Sequence, residues 1–445
     1  MARSVFRLTR RQALGAGGIA VAAAAGLPLV GYEVLSHLGQ SQASQPGSGW
    51  PSPLGTTRGR AAHLLRRAGF GYTSDQLDSA AAMTYSDLVE SVVSQSPEPL
   101  PLPATATSAQ VIGGWYEHMA TTAAQFPERM TLFWHGLLTS DRQSAGKRPY
   151  VVIQNQTWRQ AGLQDFRSLL VAATFDPLML RYLNGAQSTA AAPNENYSRE
   201  LMELFTLGAG NYTETDVREG ARALSGIRVV AGRGLLVRRL HDQGTKTYLG
   251  RSGNLGPDDV IDAILAQPAC AEHIAARALA EFCMPSPPQD LVQTVASQFR
   301  GSDYDIRTLM RSVFLSDAFL SPQAYRSLVR SPAQYAVAAL RLVNVPRLAA
   351  TAARPAALMG QDLYNPPNVG GWPLSTGWIS SGAVLARLNF AARVASVPSL
   401  PDVQTAVRDQ LDGVLSPATS AVIAHAASPA DAWYALLGGP EFQLH

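Results

Sequence analysis

Two glutamates three residues apart, Glu200 and Glu203, have the type and spacing best suited to acid–base chemistry in this chain. On a helix such residues are neighbours, and like charges there repel unless something answers them. Repulsion separates the two ionisations, which supplies an acid and a base at one pH, as hydrolysis requires. Asn196 shares their flank. Arg199 is placed to pair with Glu203 along the helix, and Arg218 or Arg222 to reach across from the next segment. Carboxylates one turn apart stand closer than a pair that flanks a glycosidic bond, so a further carboxylate, such as Asp242, is expected to complete the set.

The elements that must hold these side chains run from Pro193 to Gly226 and read as a helical hairpin. Asn194 is the N-cap of the first helix, and Tyr197, Leu201, Leu204, Phe205 and Gly208 recur at helical spacing. Gly208 and Gly210 stop it. Thr213 and Asp216 have capping-box spacing for the second helix, whose stripe is Val217, Ala221 and Leu224. An Arg–Glu clasp at a concave, partly buried surface near His241 is expected here. Beyond Gly226, Arg228–Val230 and Leu235–Leu240 surround Ala231-Gly232-Arg233-Gly234 and read as a small β-hairpin. The hairpin delivers a polar loop with His241, Asp242, Gly244 and Lys246. Loops on a rigid helical scaffold commonly hold chemistry, so His241 and Asp242 join the two Glu as catalytic candidates. A second loop, Asn365–Trp378, carries two Pro, Gly370-Gly371, Trp372 and Trp378. Such a loop forms a sugar-stacking platform or plugs a core, and plugging is the commoner use of large aromatics. Asn196, Arg199, Arg222, Lys246, Trp372 and Trp378 are the substrate-binding candidates. His135, alone in the apolar helix PERMTLFWHGLLTS, and His63, in an Arg-rich helix, read as structural. No residue set is assigned to a metal, and no cofactor is named.

Several stretches together resemble a known family. NENYSRELMELFTLG, NYTETDV and ARALSG are similar to the signature of the bacterial family called domain of unknown function 1800. HLLRRAGFG at His63–Gly71, FWHGLLTS at Phe133–Ser140, HDQGTKTYLG at His241–Gly250, NPPNVGGWP at Asn365–Pro373 and PEFQ at Pro440–Gln443 match in the same order. The resemblance implies a mostly helical, exported protein without an assigned activity. It also implies a co-encoded exported partner, because such proteins are often encoded beside a second exported family.

Residues 1–43 read as a twin-arginine-type signal. Arg3, Arg7, Arg10 and Arg11 precede an uncharged Ala/Gly-rich stretch, and Ser41-Gln42-Ala43 offers small residues for cleavage. That stretch is a weak permanent membrane span. Residues 44–56 read as a Pro/Gly/Ser linker and 57–445 as the folded domain. Four Arg and one Glu fall within 1–43, so 32 of the 36 basic and 32 of the 33 acidic residues follow it. A balanced chain gives no support to a nucleic-acid partner. A 445-residue chain that is 46% apolar buries a large core. Cys270 and Cys283 make no zinc cage by themselves, and a twin-arginine substrate folds in a reducing compartment, so their pairing stays open. HExxH, GxSxG, P-loop, GxGxxG and CxxCH motifs are absent.

The expected fold is mostly α: a single large multi-helix domain with one small β-hairpin insertion. The expected function is that of an exported hydrolase acting on an envelope or extracellular polymer, such as a glycan, reached through the twin-arginine machinery. The alternatives are a non-catalytic envelope or assembly protein working with the co-encoded partner, and a metal-dependent enzyme drawing on His135, His241, Asp242 and the central acids.

Overall fold

Side-chain caps punctuate the chain into short helices. Thr73 with Gln76, Thr107 with Gln110, Thr213 with Asp216 and Ser331 with Gln334 form reciprocal capping boxes. The computed structural model describes residues 50–445. The expected signal and residues 44–49 of the expected linker therefore lie outside the described residues. The fold is mostly α, and the strands among the described residues form two small antiparallel ribbons. No described helix is long and apolar enough to cross a membrane.

Two apolar clusters make up the core. The first packs Trp134, Phe166, Phe205, Phe282 and Phe299 between the central hairpin and the helices Pro257–Ala266, Pro268–Phe282, Gln289–Gly301 and Ile306–Phe314. The second joins the helix Ser108–Thr121 to the C-terminal helices through Trp115, Tyr116, Tyr335, Trp433 and Phe442. The helix Gln125–Leu137 divides them. Met130, Phe133 and Trp134 face the first cluster and Leu132 the second. A helix apolar on both sides is buried all round, as its sequence requires.

The two-faced burial traps polar groups. Glu128 accepts from Arg159 Nε at 2.5 Å and Nη2 at 3.0 Å, and from Trp115 Nε1 at 2.8 Å. Both partners of this ion pair are 1% exposed. His135 is fully buried; its Nε2 accepts from the Tyr364 backbone N–H at 3.2 Å, and burial pushes its pKa down to about 3. Trp115, Tyr364 and Trp372 surround its ring. His63 is also buried, with Nε2 against the Phe319 carbonyl at 3.1 Å. Both histidines are core residues, as the sequence suggests. Cys270 and Cys283 are buried free thiols, which answers the open question of their pairing.

Strand β1, Ile227–Val230, pairs with β2, Arg233–Leu236, across Ala231-Gly232. Both turn residues have positive φ, 48° and 79°, the conformation that matches hairpin twist. The strand expected to reach Leu240 ends at Leu236, and Arg238–Leu240 turns as a 3-10 helix. The stretch expected as a polar loop contains a second hairpin. Here β3, Lys246–Tyr248, pairs with β4, Arg251–Gly253, across Leu249-Gly250, with φ 47° and 83°.

Candidate functional site

The first helix of the hairpin changes pitch at the acids. It is α-helical over Glu195–Glu200 and a π-helix over Leu201–Thr206. The Leu207 N–H reaches back to the Met202 carbonyl at 2.7 Å, and the Thr206 hydroxyl to the Leu201 carbonyl at 2.5 Å. A π-turn widens the helix and is frequent at functional sites. Tyr197, Leu201, Met202 and Phe205 fill the core, leaving Glu200 and Glu203 half-buried on the flank.

The two acids differ in their surroundings. Glu203 accepts a hydrogen bond from the Tyr212 hydroxyl, and burial with this bond pushes Tyr212 up to about 12. The Glu200 carboxylate has no hydrogen-bond or ion-pair partner among the described residues. Burial, then the charge of Glu203, raises its pKa, while Arg199 opposes the shift. Burial first and then the charges of Asp141 and Glu200 raise the nearby Tyr182 phenol. The loop Asn365–Trp378 closes the other side. The Val369 carbonyl accepts from Thr139 Oγ1 at 2.5 Å, and a Cβ on Gly370 would stand 4.0 Å from Leu204 Cδ1.

The expected clasp uses different partners. Arg199 turns from Glu203 to Glu214, at 2.6 and 2.9 Å, with Glu195 at 3.4 Å. Arg222 binds Asp242 at 2.8 and 3.2 Å and Glu219 at 2.9 and 3.0 Å. Arg218 bonds Thr215. The correction follows from the packing of the hairpin. Ser198 Oγ donates to the Val217 carbonyl at 2.9 Å, and a Cβ on Gly220 would stand 2.4 Å from that Oγ and 2.8 Å from the Tyr248 ring. Glycine lets the two helices and β3 meet there. Glu200, two residues from Ser198, lies about 200° round the helix and points away from the second helix.

The loop candidates form a separate cluster. The Arg222 hydrogen bond is the main reason Asp242 ionises below the usual carboxylate range, and Asp242 also accepts from Gly244 N at 2.8 Å. Lys246 is buried, and its Nζ donates to the Asp242 and Gly244 carbonyls and to Asn254 Oδ1 at 2.6, 2.9 and 3.3 Å. His241 is buried with Nδ1 at 2.9 Å from the Ser225 carbonyl. Glu219 and Asp216 accept from Thr247 N and Leu249 N, which ties the second ribbon to the helix Glu214–Ala223. Asn196 points its amide towards the Leu183 carbonyl, at 3.4 Å. Trp372 and Trp378 are buried, packed with Val329 and Leu444, and both border the cleft between the helices Gln125–Leu137 and Pro268–Phe282.

The structure thus divides the candidates. Glu200 and Glu203 form one group, Asp242, Arg222 and Lys246 a second, and the two Trp a third. Among the described residues, no group of three or more His, Cys, Asp or Glu is arranged to hold a metal ion. Sequence reasoning missed Tyr212 and Glu219. Tyr212 follows a glycine turn, and Glu219 lies one turn before Arg222; that i,i+3 spacing was the available signal. No curated protein and no solved structure matches this chain. A family model described as "Protein of unknown function (DUF1800)" matches residues 63–444, most of the chain, and the protein belongs to that family.

Proposed function

We propose that the protein is an exported hydrolase of an envelope or extracellular polymer and that Glu200 and Glu203 are its acid–base pair. One observation carries this reading. Around the hairpin Glu195, Glu214, Glu219 and Asp242 are all answered by arginine, whereas Glu200 is half-buried, unpaired and raised in pKa. Unanswered acids with raised pKa values concentrate at functional sites. Protonated Glu200 gives its proton to the leaving oxygen. Glu203, oriented by the Tyr212 hydroxyl, takes the proton of the attacking water. Asp242, engaged by Arg222, has no part in this scheme. Delivery by the twin-arginine machinery follows from the character of residues 1–43. The test screens the purified protein on envelope and plant polysaccharides. Glu200→Gln and Glu203→Gln are expected to remove turnover with the fold intact; turnover that survives both rejects these roles.

A second reading, a non-catalytic assembly protein, is favoured by the burial of Trp372 and Trp378, whose indoles pack with Val329 and Leu444. It predicts co-purification with the exported protein encoded beside it and no turnover on any polymer. A solitary, monomeric protein would count against it.

A further inference from the structure

The first described helix, Thr57–Ala68, brings arginines into the interior. Arg67 and Arg129 are fully buried, and Arg330 is 6% exposed. Arg66 is answered by Asp412 at 2.7 Å. The others are not matched in this way. Arg67 donates through Nη2 to the Ala324 carbonyl and Ser327 Oγ, while its Nε and Nη1 have no partner. Arg330 reaches the Leu444 carbonyl at 3.3 Å. Arg129 reaches Glu281 at 3.2 Å and has Nη1 unpartnered. Arg277 bonds to no described residue, and its buried Nε is unpartnered. Among the described residues, no carboxylate lies within ion-pair distance of Arg67, Arg277 or Arg330. Of these four guanidinium groups, only Arg129 has an ion-pair partner, Glu281. Burial is the main reason Arg67 and Arg330 are pushed down to about 9, and neighbouring arginines add to it.

Of these arginines, Arg277 lines a cleft. Glu281, Gln334, Ser375 and His445 line it too, between the helices Gln125–Leu137 and Pro268–Phe282 and the loop Asn365–Trp378. Arg67, Arg129 and Arg330 stand behind its wall, where their charges lower the pKa of the buried His445, after burial itself. Gln334 is 5% exposed; its Oε1 accepts from Ser331 N at 2.6 Å, and its Nε2 is unpartnered. The Ser375 hydroxyl is unpartnered as well, on a residue at φ 47°.

We propose that this cleft binds a small anion presenting carboxylate or phosphate oxygens. A cation without a partner is costly when buried, and an oxyanion in the cleft hydrogen-bonds Arg277 directly while the charges behind the wall attract it. The cavity is about 40 Å³, against the 10–15 Å³ or so that one water needs. It takes an oxyanion of a few heavy atoms. Arg277 and Gln334 are the direct donors, and Arg67, Arg129 and Arg330 supply the field. The site is distinct from the Glu200–Glu203 flank, none of whose acids line it.

The full chain, purified in phosphate-free buffer, is titrated with inorganic phosphate and, separately, with acetate at constant ionic strength in chloride. The unfolding midpoint and tryptophan emission are followed. A saturable rise in the midpoint is expected with at least one anion, and whichever anion produces it identifies the oxyanion class. Arg277→Gln is expected to weaken binding at least tenfold. Gln334→Glu keeps the Oε1 that accepts from Ser331 and adds the missing carboxylate. It is expected to raise the midpoint in anion-free buffer and abolish the response. No saturable response to either anion overturns the proposal, as does a response unchanged in Arg277→Gln. If Arg277→Gln does not fold, Gln334→Glu decides alone, and a lowered midpoint there also overturns it.

Discussion

Removing the carboxylate of Glu128 is expected to destabilise the protein more than any change at Glu200 or Glu203. Glu128 and Arg159 are each 1% exposed, on the helices Gln125–Leu137 and Tyr150–Ala161. Glu128→Ala strands the Arg159 guanidinium and the Trp115 indole N–H. Breaking a buried pair from one side costs about 3–5 kcal/mol. The folded part is about 390 residues, and about 2.1 cal/mol/K per residue gives an unfolding entropy of about 0.8 kcal/mol/K. The midpoint therefore falls by about 4–6 °C if the two core clusters unfold in one transition. Replacing both partners together, Glu128→Leu with Arg159→Met, recovers much of the loss, leaving the indole N–H and the buried Asn155 Oδ1 as the unanswered groups. The assay is a double-mutant cycle by thermal and urea unfolding. Acid gives a second arm. Burial raises the Glu128 pKa, but the His118 ring, with Nε2 3.5 Å from Glu128 Oε1, and the Arg159 guanidinium outweigh it, so the folded value lies below the ordinary one. Its stabilisation is present above the unfolded carboxylate pKa and disappears as pH falls through the folded value. The gap between wild type and Glu128→Gln should therefore close in acid. Single variants that cost nothing, or that add without coupling, would refute the reasoning.

Other outcomes are equally direct. Arg222→Ala and Asp242→Ala should couple strongly in unfolding experiments, whereas Arg222→Ala and Glu203→Ala should add, because only the first pair touches. Burial pushes Asp176 up to about 7, with Oδ2 unpartnered while Oδ1 caps the helix Pro177–Tyr182. A raised carboxyl binds more protons in the folded state, so stability should fall as pH rises from about 4 to 7. Asp176→Asn, which keeps the capping oxygen, should flatten that decline in a pH series of unfolding midpoints. Burial pushes the Cys283 thiol up to about 12 and raises Cys270 as well. Neither should react with a thiol reagent until the protein unfolds, when mass spectrometry should count two additions. Trp372→Ala should cost about 3–5 kcal/mol as a core truncation, measured by urea unfolding.

The sequence by itself determined the helices, because helix signals are local. A hydroxyl or carboxyl three residues ahead of its partner, as at Thr73–Gln76 or Thr213–Asp216, caps a helix whatever surrounds it. Periodicity likewise marked Tyr197, Leu201 and Phe205 as core and singled out Glu200 and Glu203 as the half-buried flank. The first β-hairpin was legible from its glycine turn. The second was hidden, because Lys246–Tyr248 and Arg251–Gly253 are too short and polar to alternate visibly, and side chains of the helix Glu214–Ala223 hold them. Only the tertiary structure decided which arginine meets which acid. A long side chain on one helix reaches several partners, and the choice depends on rotation about the axis and on the contact that Gly220 permits. The π-turn after Glu200 is a second such decision, since 3.6-residue spacing does not foresee a widened turn. The buried arginines are the third. Arg66 and Arg67 sit on a short, Arg-rich helix, and segments some 260 and 345 residues later, around Ala324 and Asp412, close over them. Burial of a charge is a property of what packs against it, and that partner is distant in sequence.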